Sequence, residues 1–289
     1  MTVQIERIAI PTAHGTPLGV TKYSSPKHKE RTIVVSSATG VLQQYYSKFA
    51  QYFASQGFIV YTFDYSGIGE SLVSTKSLST FEGDLKSWGS IDQATVIDYA
   101  KYEYEHHTIT LIAHSIGGQL LGFNTNYRLI DKAVLVACQS GYWKEFRGIH
   151  RYKMWLFWYF LIPGLTPLFG YFPAKKLGLF ENLPKRMVYE WASWGRKEAY
   201  MMHFENKTDY FFDAFKIPIL SLSFHEDPFA PQNTVDWLAR VYTNSKVTRV
   251  HHDKTPQERS AKHFGFFKSA YKEVFWERTH QWMLNNTYQ

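Results

Sequence analysis

Strand-like and helix-like segments alternate along the first 140 residues, and this alternation restricts the fold more than any other feature of the sequence. Apolar runs rich in β-branched and aromatic residues predict strands at 3–10, 19–23, 31–37, 58–63, 108–113 and 132–137. Apolar residues at helical spacing predict helices at 43–56, 85–105 and 116–127. Because parallel strands need a long crossover between them, strands separated by helices favour the mostly parallel sheet of an α/β fold.

The alternation stops after residue 140 and resumes at residue 217. The segment between, 143–215, is rich in aromatic residues, is interrupted by prolines and shows no clear strand. Beyond it the sequence predicts strands at 217–223 and 246–251 and helices at 232–240 and 270–283. We therefore expect an eight-stranded, mostly parallel sheet with helices on both faces, formed by 1–142 and 216–289 and interrupted after the sixth strand by a helical insertion, 143–215.

The composition excludes two other classes of protein. With 20 % charged and 18 % aromatic residues, the chain can form a core and is not expected to be mainly disordered. Its one cysteine, Cys138, has no partner for an intramolecular disulfide, which excludes a disulfide scaffold, and it is expected to be a small buried residue. The first residues lack the apolar segment of a signal peptide, so a cytoplasmic location is expected.

One uncharged segment, residues 154–174, has the 21 residues that a membrane-spanning helix needs. Pro163, Pro167 and Pro173 would interrupt a single straight helix there. Basic residues flank the segment on both sides. We therefore expect a buried or surface-lying amphipathic segment and not a transmembrane helix.

A serine lies where a predicted strand, 108–113, runs directly into a predicted helix. In a sharp strand-to-helix turn the central side chain projects above the sheet, and the residues two before and two after it must be small. Ala113 and Gly117 meet that demand around Ser115. The amide of Ile116 would then lie at a helix N-terminus, where it can stabilise an oxyanion. The alternative is that Ser115 only caps the helix.

The segments SATG, FDYSGIGES and AHSIGG follow one another in the order found in lipases and esterases, and the chain resembles the α/β-hydrolase family. The stretch SSATGVLQQYYSKFAQYFASQGFIVYTFDYSGIGES resembles a bacterial branch of predicted serine hydrolases. The resemblance covers the core and, more loosely, the insertion. The sequence departs from the family where Ser37 and Ala38 replace the usual His-Gly pair, and where Ala113 replaces the first glycine of the serine turn.

Serine needs a histidine base that is oriented by a carboxylate, and in this family the chain order is serine, acid, histidine. Asp227 occupies the place of the family's carboxylate, in a loop after the strand 217–223 and between two prolines. Glu226 is the neighbouring candidate, and Asp227 could alternatively cap the following helix. His225 precedes its acid and is expected to be a loop side chain.

His263 is the candidate base, because it follows the last predicted strand and precedes the last helix. The segment HFGFF that it begins resembles the corresponding family loop. His251 and His252 lie on or at the end of a strand and are expected to be structural or exposed. His280, on the terminal helix, is expected to be a surface histidine with satisfied nitrogens, and His114 is expected to pack beneath the serine turn.

The family supplies a second oxyanion donor from the loop after the third strand. The resemblance indicates the amide of Thr39, with Gly40 giving that loop freedom to approach. The alternatives are an ordinary strand-to-helix turn, or additional help from the Thr39 hydroxyl. Asp64, in FDYSGIGES, is expected to be structural.

The insertion is expected to lie above the carboxyl ends of the strands, where such sheets bind ligands. It carries 11 Lys/Arg and 7 Asp/Glu, a net charge of +4 out of the chain's +7. A basic, aromatic lid suits an amphiphilic substrate or peripheral contact with a membrane. The same composition suits single-stranded nucleic acid, but the charges are dispersed, so no nucleic-acid partner is expected.

These observations predict a serine hydrolase that cleaves a carboxylic ester or thioester of a hydrophobic or amphiphilic small molecule. Ser115 would form the acyl-enzyme, His263 would move the proton and Asp227 would orient the imidazole, while the amides of Ile116 and Thr39 hold the oxyanion. No cofactor or metal is expected, and the sequence has no HExxH motif. The alternatives are a non-catalytic binding or membrane-associated protein on the same fold, and an acyltransferase or lyase that uses the same serine.

Overall fold

The computed structural model describes residues 2–13, 15–72, 77–203, 209–253 and 260–288. Its strands are β1 (Gln4–Ile10), β2 (Leu18–Ser24), β3 (Arg31–Ser36), β4 (Ile59–Phe63), β5 (Thr108–His114), β6 (Lys132–Val136), β7 (Tyr171–Phe172), β8 (Leu183–Pro184), β9 (Pro218–Phe224) and β10 (Lys246–His252). Eight of them form one sheet in the order β1-β2-β4-β3-β5-β6-β9-β10, while β7 and β8 pair separately. All eight strands predicted from the sequence are present in this sheet.

The sheet is parallel from β4 to β10, and only its first edge is antiparallel. β2 runs antiparallel to both β1 and β4. The register pairs Ser36 with Ala113 and His114 with Val136, so that β3, β5 and β6 end at the same level. This confirms the predicted α/β fold class and brings three loops to one edge of the sheet.

Helices cover both faces of the sheet, because side chains alternate along each buried strand. Leu111 of β5 packs into one core with α3 (Ala94–Glu103) and α4 (Ile116–Leu120). Its neighbour Ile112 packs into the opposite core with α1 (Ser47–Ser55) and α9 (Glu277–Asn285). The remaining helices are α2 (Ser77–Thr80), α5 (Gly148–Leu156), α6 (Ile162–Phe169), α7 (Lys185–Gly195) and α8 (Gln232–Val241).

The helix predicted at 116–127 is shorter in the structure. α4 ends at Leu120 and continues only as a 3-10 turn to Phe123. The side chain of Asn124 accepts a hydrogen bond from the Asn126 amide and donates one to Gln93. Such side-chain bonds offer the backbone an alternative to the helical ladder, which explains the early end.

Between β6 and β9 the chain forms α5, α6 and α7 together with the antiparallel pair of β7 and β8. This pair was not predicted from the sequence, since each strand has only two residues and shows no alternation. The expectation that prolines interrupt the helix within 154–174 was wrong for Pro163 and Pro167. Both lie inside α6, and the helical run from α5 continues into it through a wider π turn, Phe157–Leu161.

The helical run ends at Gly170, whose φ of +75° belongs to the left-handed region that glycine adopts readily. Within the described ranges, every helix is too short or too polar to cross a bilayer.

Candidate active site

Ser115 occupies a strained turn between β5 and α4. Its backbone has φ 53° and ψ −114°, a conformation that residues other than glycine rarely adopt. The Ser115 amide donates a hydrogen bond to the carbonyl of Val136, 3.0 Å away, which fixes the turn to the neighbouring strand. Strain of this kind persists only where the surrounding structure enforces it.

Positions 117 and 118 must be glycine because the turn packs tightly against the end of β3 and the loop after β6. A Cβ atom on Gly117 would lie 2.6 Å from the Ser36 hydroxyl oxygen and 2.7 Å from the Ser36 carbonyl oxygen. One on Gly118 would lie 2.5 Å from the sulfur of Cys138. Cys138 is fully buried, as expected, and burial raises the pKa of its thiol.

Among the described residues, the Ser115 hydroxyl is hydrogen bonded to the side chain of Gln139. The side-chain nitrogen of Gln139 lies 3.4 Å and its oxygen 3.5 Å from Ser115 Oγ. The same nitrogen donates to the carbonyl of Phe229, and Gln119 donates to the Gln139 carbonyl at 2.7 Å. Sequence reasoning missed Gln139. The signal available was its position three residues after β6, at the edge of the sheet where Ser115 lies.

Asp227 and His263 are hydrogen bonded, 36 residues apart in sequence. The Nδ1–H of His263 donates to Oδ2 of Asp227 at 2.9 Å, and both side chains are buried. The other carboxylate oxygen of Asp227 accepts the amides of Phe229 and Ala230 at 2.9 and 3.0 Å. With Nδ1 bonded in this way, the second ring nitrogen of His263 is left as an acceptor.

Glu226, the alternative acid, points elsewhere. The backbone of Glu226 has φ +55°, in the left-handed region, and the side chains of Glu226 and Asp227 have different surroundings. The Glu226 carboxylate is more than half exposed and lies 3.6 Å from His225 Nε2. The structure therefore brings Asp227, and not Glu226, to His263.

His114 joins the loop of His263 to the loop after β3. Its Nε2–H donates to the backbone carbonyl of His263, and the Tyr46 hydroxyl donates to its Nδ1, each at 2.9 Å. That hydroxyl in turn accepts the amide of Ala38 at 2.9 Å. Complete burial and the nearby His263 lower the pKa of His114 well below its usual value. A neutral His114 ring with its proton on Nε2 is consistent with every hydrogen bond in this series.

The loop after β3 carries the predicted second oxyanion donor. Thr39 is buried, and its hydroxyl oxygen has no hydrogen-bond partner among the described residues. Gly40 adopts φ +62°, and its carbonyl accepts the amide of Glu181 at 3.0 Å. On the other side, the first N–H groups of α4, beginning with Ile116, have no partner within that helix. The Ile116 amide therefore lies at the N-terminus of α4, next to Ser115.

Asp64 is structural, as the sequence analysis expected. Its carboxylate accepts the amides of Gln43 at 2.7 Å and Glu70 at 2.9 Å. A Cβ on Gly69 would lie 2.3 Å from that carboxylate. Asp64 therefore organises the turn after β4.

The expectation for His280 was wrong. It is not a surface histidine with satisfied nitrogens, because its Nε2 is buried without a partner between the rings of Phe53 and Phe58. The reason is that α9 packs on the same face of the sheet as α1. Burial also lowers the pKa of His280.

His251 and His252 lie on β10 and bond to neighbouring side chains, Ser223 and Tyr288 respectively. A group with metal-ligating atoms is present among the described residues: one ligand atom each from His225, His251 and Asp253 lies within 4.8 Å of the others. Imidazole and carboxylate donors of this kind suit Zn²⁺. Two of its members are half-exposed and one is exposed, and the group lies at the carboxyl ends of β9 and β10.

The segment between β6 and β9 rests on the loops that surround Ser115. Besides the Glu181 bond to Gly40, Tyr200 donates its hydroxyl to the side chain of Gln119 in α4 at 3.0 Å. Trp158 donates its indole N–H to the carbonyl of Gly141 at 3.0 Å. These contacts lie at the carboxyl ends of the parallel strands, where α/β sheets bind ligands.

A protein-family model described as serine aminopeptidase, S33, matches residues 27–168, a range that contains β3 to β6 and Ser115. None of the curated proteins with which the sequence was compared matches it.

Solved structures share the whole fold at low sequence identity. A thermostable carboxyl esterase from Bacillus coagulans is similar over 99 % of this chain and 99 % of its own, with a TM-score of 0.69 and 13 % identity. An esterase from Exiguobacterium antarcticum is similar over 97 % and 100 %, with a TM-score of 0.58 and 14 % identity. Est816, described as an N-acyl homoserine lactone degrading enzyme, is similar over 97 % and 100 %, with a TM-score of 0.60 and 13 % identity. The sheet order and these structures together show that the chain has the α/β-hydrolase fold.

Proposed function

We propose that the protein is a serine hydrolase that cleaves a carboxylic ester or thioester of a hydrophobic or amphiphilic small molecule. The observation that carries this proposal is the buried 2.9 Å hydrogen bond between His263 and Asp227, in a chain whose Ser115 occupies a strained strand-to-helix turn. A buried histidine oriented by a carboxylate and a serine held in a strained strand-to-helix turn are the two components of an activated nucleophile.

In the proposed reaction Ser115 Oγ attacks the substrate carbonyl and forms an acyl-enzyme. His263 takes the serine proton on Nε2 and delivers it to the leaving group, while Asp227 stabilises the imidazolium that forms. Water then attacks the acyl-enzyme with His263 as the base again. The reaction requires the Ser115 hydroxyl to exchange Gln139 for His263 as its hydrogen-bond partner. Catalytic hydrogen bonds often tighten only when substrate is bound.

The amides of Ile116 and Thr39 are the proposed oxyanion donors. Ile116 begins α4, where helix N–H groups are free and the helix dipole favours negative charge. Thr39 precedes Gly40 in the loop after β3. Its buried hydroxyl has no hydrogen-bond partner among the described residues and is the proposed third donor. This arrangement would serve in place of the His-Gly pair that Ser37 and Ala38 replace.

The segment 143–215 is the proposed lid. Its support is the set of hydrogen bonds that join it to Gly40, Gln119 and Gly141, at the carboxyl ends of the parallel strands. Its aromatic side chains would exclude water and offer an apolar surface to an acyl or aromatic group. A cytoplasmic location stays a prediction of the sequence.

A fluorophosphonate probe tests the nucleophile directly. We expect the wild-type protein to be labelled and Ser115→Ala to be unlabelled, with Ser25→Ala, a buried serine after β2 near the opposite ends of the strands, labelled like the wild type. A folded wild-type protein that resists the probe would refute the proposal and favour a non-catalytic binding protein.

A substrate panel then separates the reaction classes. It contains p-nitrophenyl esters and acyl thioesters of graded chain length, an N-acyl homoserine lactone because of the likeness to Est816, and an aminoacyl p-nitroanilide because of the family model. We expect ester or thioester cleavage to exceed amide cleavage. Preference for the anilide would replace the ester proposal with a peptidase, and product formation only with an added alcohol would indicate an acyltransferase.

A further inference from the structure

The exposed hydrophobic side chains are concentrated in one part of the chain. Of the fifteen large hydrophobic residues exposed within the described ranges, ten lie between residues 149 and 179. Six of them follow one another along α5 and the π turn: Ile149, Tyr152, Trp155, Leu156, Tyr159 and Phe160. Their separations of three and four residues place them on one side of the helical run. We call these six residues the outer face.

The opposite side of the same helical run is already buried. Trp158, Ile162 and Thr166 are completely inaccessible to solvent, and the Trp158 indole is hydrogen bonded to the carbonyl of Gly141. The guanidinium of Arg196 also bonds to the Trp158 carbonyl. Because the inner side anchors the helix to the core, the outer face cannot turn inward without breaking this packing. A surface helix normally presents polar residues to water, so an apolar outer face indicates a partner that covers it.

The charges around the outer face have one sign. Residues 146–180 contain five basic residues and no acidic residue, and so contribute +5 to a net charge of +7. Arg147, Arg151 and Lys153 are exposed beside the outer face. Lys175 and Lys176 follow α6, where Lys175 pairs with Glu181 at 2.8 Å and the Lys176 ammonium lies 4.5 Å from the centre of the Phe169 ring. Apolar side chains bordered by cations are complementary to an anionic surface with an apolar interior.

We propose that the outer face docks the protein on the surface of an anionic lipid bilayer. The aromatic and aliphatic side chains enter the boundary between headgroups and acyl chains, and the basic residues contact the phosphates, as in other interfacial amphipathic helices. Docking of this kind is peripheral, in keeping with the absence of a membrane-spanning helix among the described residues. It goes beyond the proposed hydrolase activity and does not depend on it.

Self-association through the same surface is disfavoured by charge. Two copies meeting at the outer face would bring together Arg147, Arg151 and Lys153 of each copy, and residues 146–180 contain no acidic residue to compensate them. Like charges in contact across an interface oppose association. An anionic bilayer removes this repulsion and replaces it with attraction.

Flotation with lipid vesicles tests the proposal on the full chain. Vesicles of phosphatidylcholine with phosphatidylglycerol are compared with vesicles of phosphatidylcholine alone, at low and at high salt. We expect the wild-type protein to float with the anionic vesicles at low salt and to be released by salt, because surface charge attraction is screened. Trp155 fluorescence, taken as the difference between wild type and Trp155→Phe, should shift to the blue on binding.

Two double variants separate the apolar and electrostatic contributions. Arg151→Gln with Lys153→Gln should weaken partitioning roughly 25-fold, since each basic residue near an anionic membrane accounts for about fivefold. Leu156→Ser with Phe160→Ser should weaken it by at least as much. Tyr102→Ser, which removes an exposed aromatic residue of α3, is the matched control and should bind like the wild type. Unchanged thermal unfolding shows that each variant is folded.

The inference would be overturned by wild-type protein that does not float at low salt, or by outer-face variants that float as well as the wild type. It would also be overturned by a dimer in solution that does not bind vesicles and that Leu156→Ser with Phe160→Ser dissociates. Ser115→Ala separates this inference from the hydrolase proposal, because that variant should bind vesicles normally. A protein that hydrolyses esters without binding vesicles overturns only the docking, and a binding but inactive protein overturns only the hydrolase proposal.

Discussion

The side chain of His114 donates a hydrogen bond to the backbone carbonyl of His263 at 2.9 Å, across 149 residues of sequence. Through Tyr46 the same ring is connected to the amide of Ala38, next to the proposed oxyanion donor Thr39. His114, the residue before Ser115, is therefore hydrogen bonded to the loop of His263 and, through Tyr46, to the loop after β3. Buried networks of this kind are rigid when every member is satisfied.

The first prediction concerns this network. Tyr46→Phe removes the hydroxyl that accepts from Ala38 and donates to His114, and so leaves two buried polar groups unpaired. We expect about 1–3 kcal/mol of lost unfolding free energy in urea titrations. We also expect kcat to fall about 10- to 100-fold with KM nearly unchanged, since small displacements of catalytic groups cost this much. Tyr102→Phe, at an exposed position, is the control, and an equal loss in both variants would contradict the assignment.

The second prediction concerns the acid. Asp227→Asn should lower kcat by about 10³- to 10⁴-fold at neutral pH, because an amide neither selects the histidine tautomer nor stabilises the imidazolium. Glu226→Gln should remain within a few-fold of the wild type, since its carboxylate contacts His225 and not His263. Steady-state kinetics on the best ester of the panel measure both. The reverse order of effects would assign the role to Glu226.

The third prediction concerns pH. Burial lowers the folded-state pKa of His114 well below 6.5, so the unfolded chain binds a proton there that the folded protein does not. The neutral ring therefore favours folding above about pH 6.5, and this stability is lost as the pH falls further. The same direction holds for His107, His251 and His280.

In urea titrations between pH 7 and pH 5 we expect wild-type stability to decrease with acidification. His114→Gln should decrease less steeply, by up to about 1.4 kcal/mol per pH unit where one proton is no longer taken up. Identical slopes for the two proteins would show that His114 is not buried as a neutral ring.

The fourth prediction concerns the packing of the serine turn. Gly117→Ala places a Cβ atom 2.6 Å from the Ser36 hydroxyl oxygen and should cost about 1–3 kcal/mol of unfolding free energy, with loss of probe labelling. Gly164→Ala, in α6, meets nothing within 4 Å and should be neutral or slightly stabilising, because alanine favours helices over glycine. Thermal unfolding of the pair compares them. Equal melting temperatures would mean that the turn is looser than the structure shows.

Local patterns in the sequence predicted the strands of the sheet, its mostly parallel direction and the insertion after the sixth strand. This succeeded because buried parallel strands are short apolar runs, and because their crossovers are helices with a recognisable spacing. The demand for small residues around Ser115 was equally local: Ala113 and Gly117 lie two positions on either side of it. The roles of Ser115, Asp227 and His263 stay predictions, and the experiments above test them.

Tertiary structure decided what depends on contacts between distant segments. Sequence left Asp227 and Glu226 as neighbouring candidates, and the positive φ of Glu226 and the burial of Asp227 separate them. Gln139 reaches Ser115 only because β5 and β6 are adjacent. The helical run through Pro163 and Pro167 persists because its inner side packs on the core, which outweighs the cost of two missing N–H groups. The sequence pattern of a segment predicts the structure that the segment prefers by itself. These contacts and this helical run depend instead on the neighbouring segments that the fold packs against it.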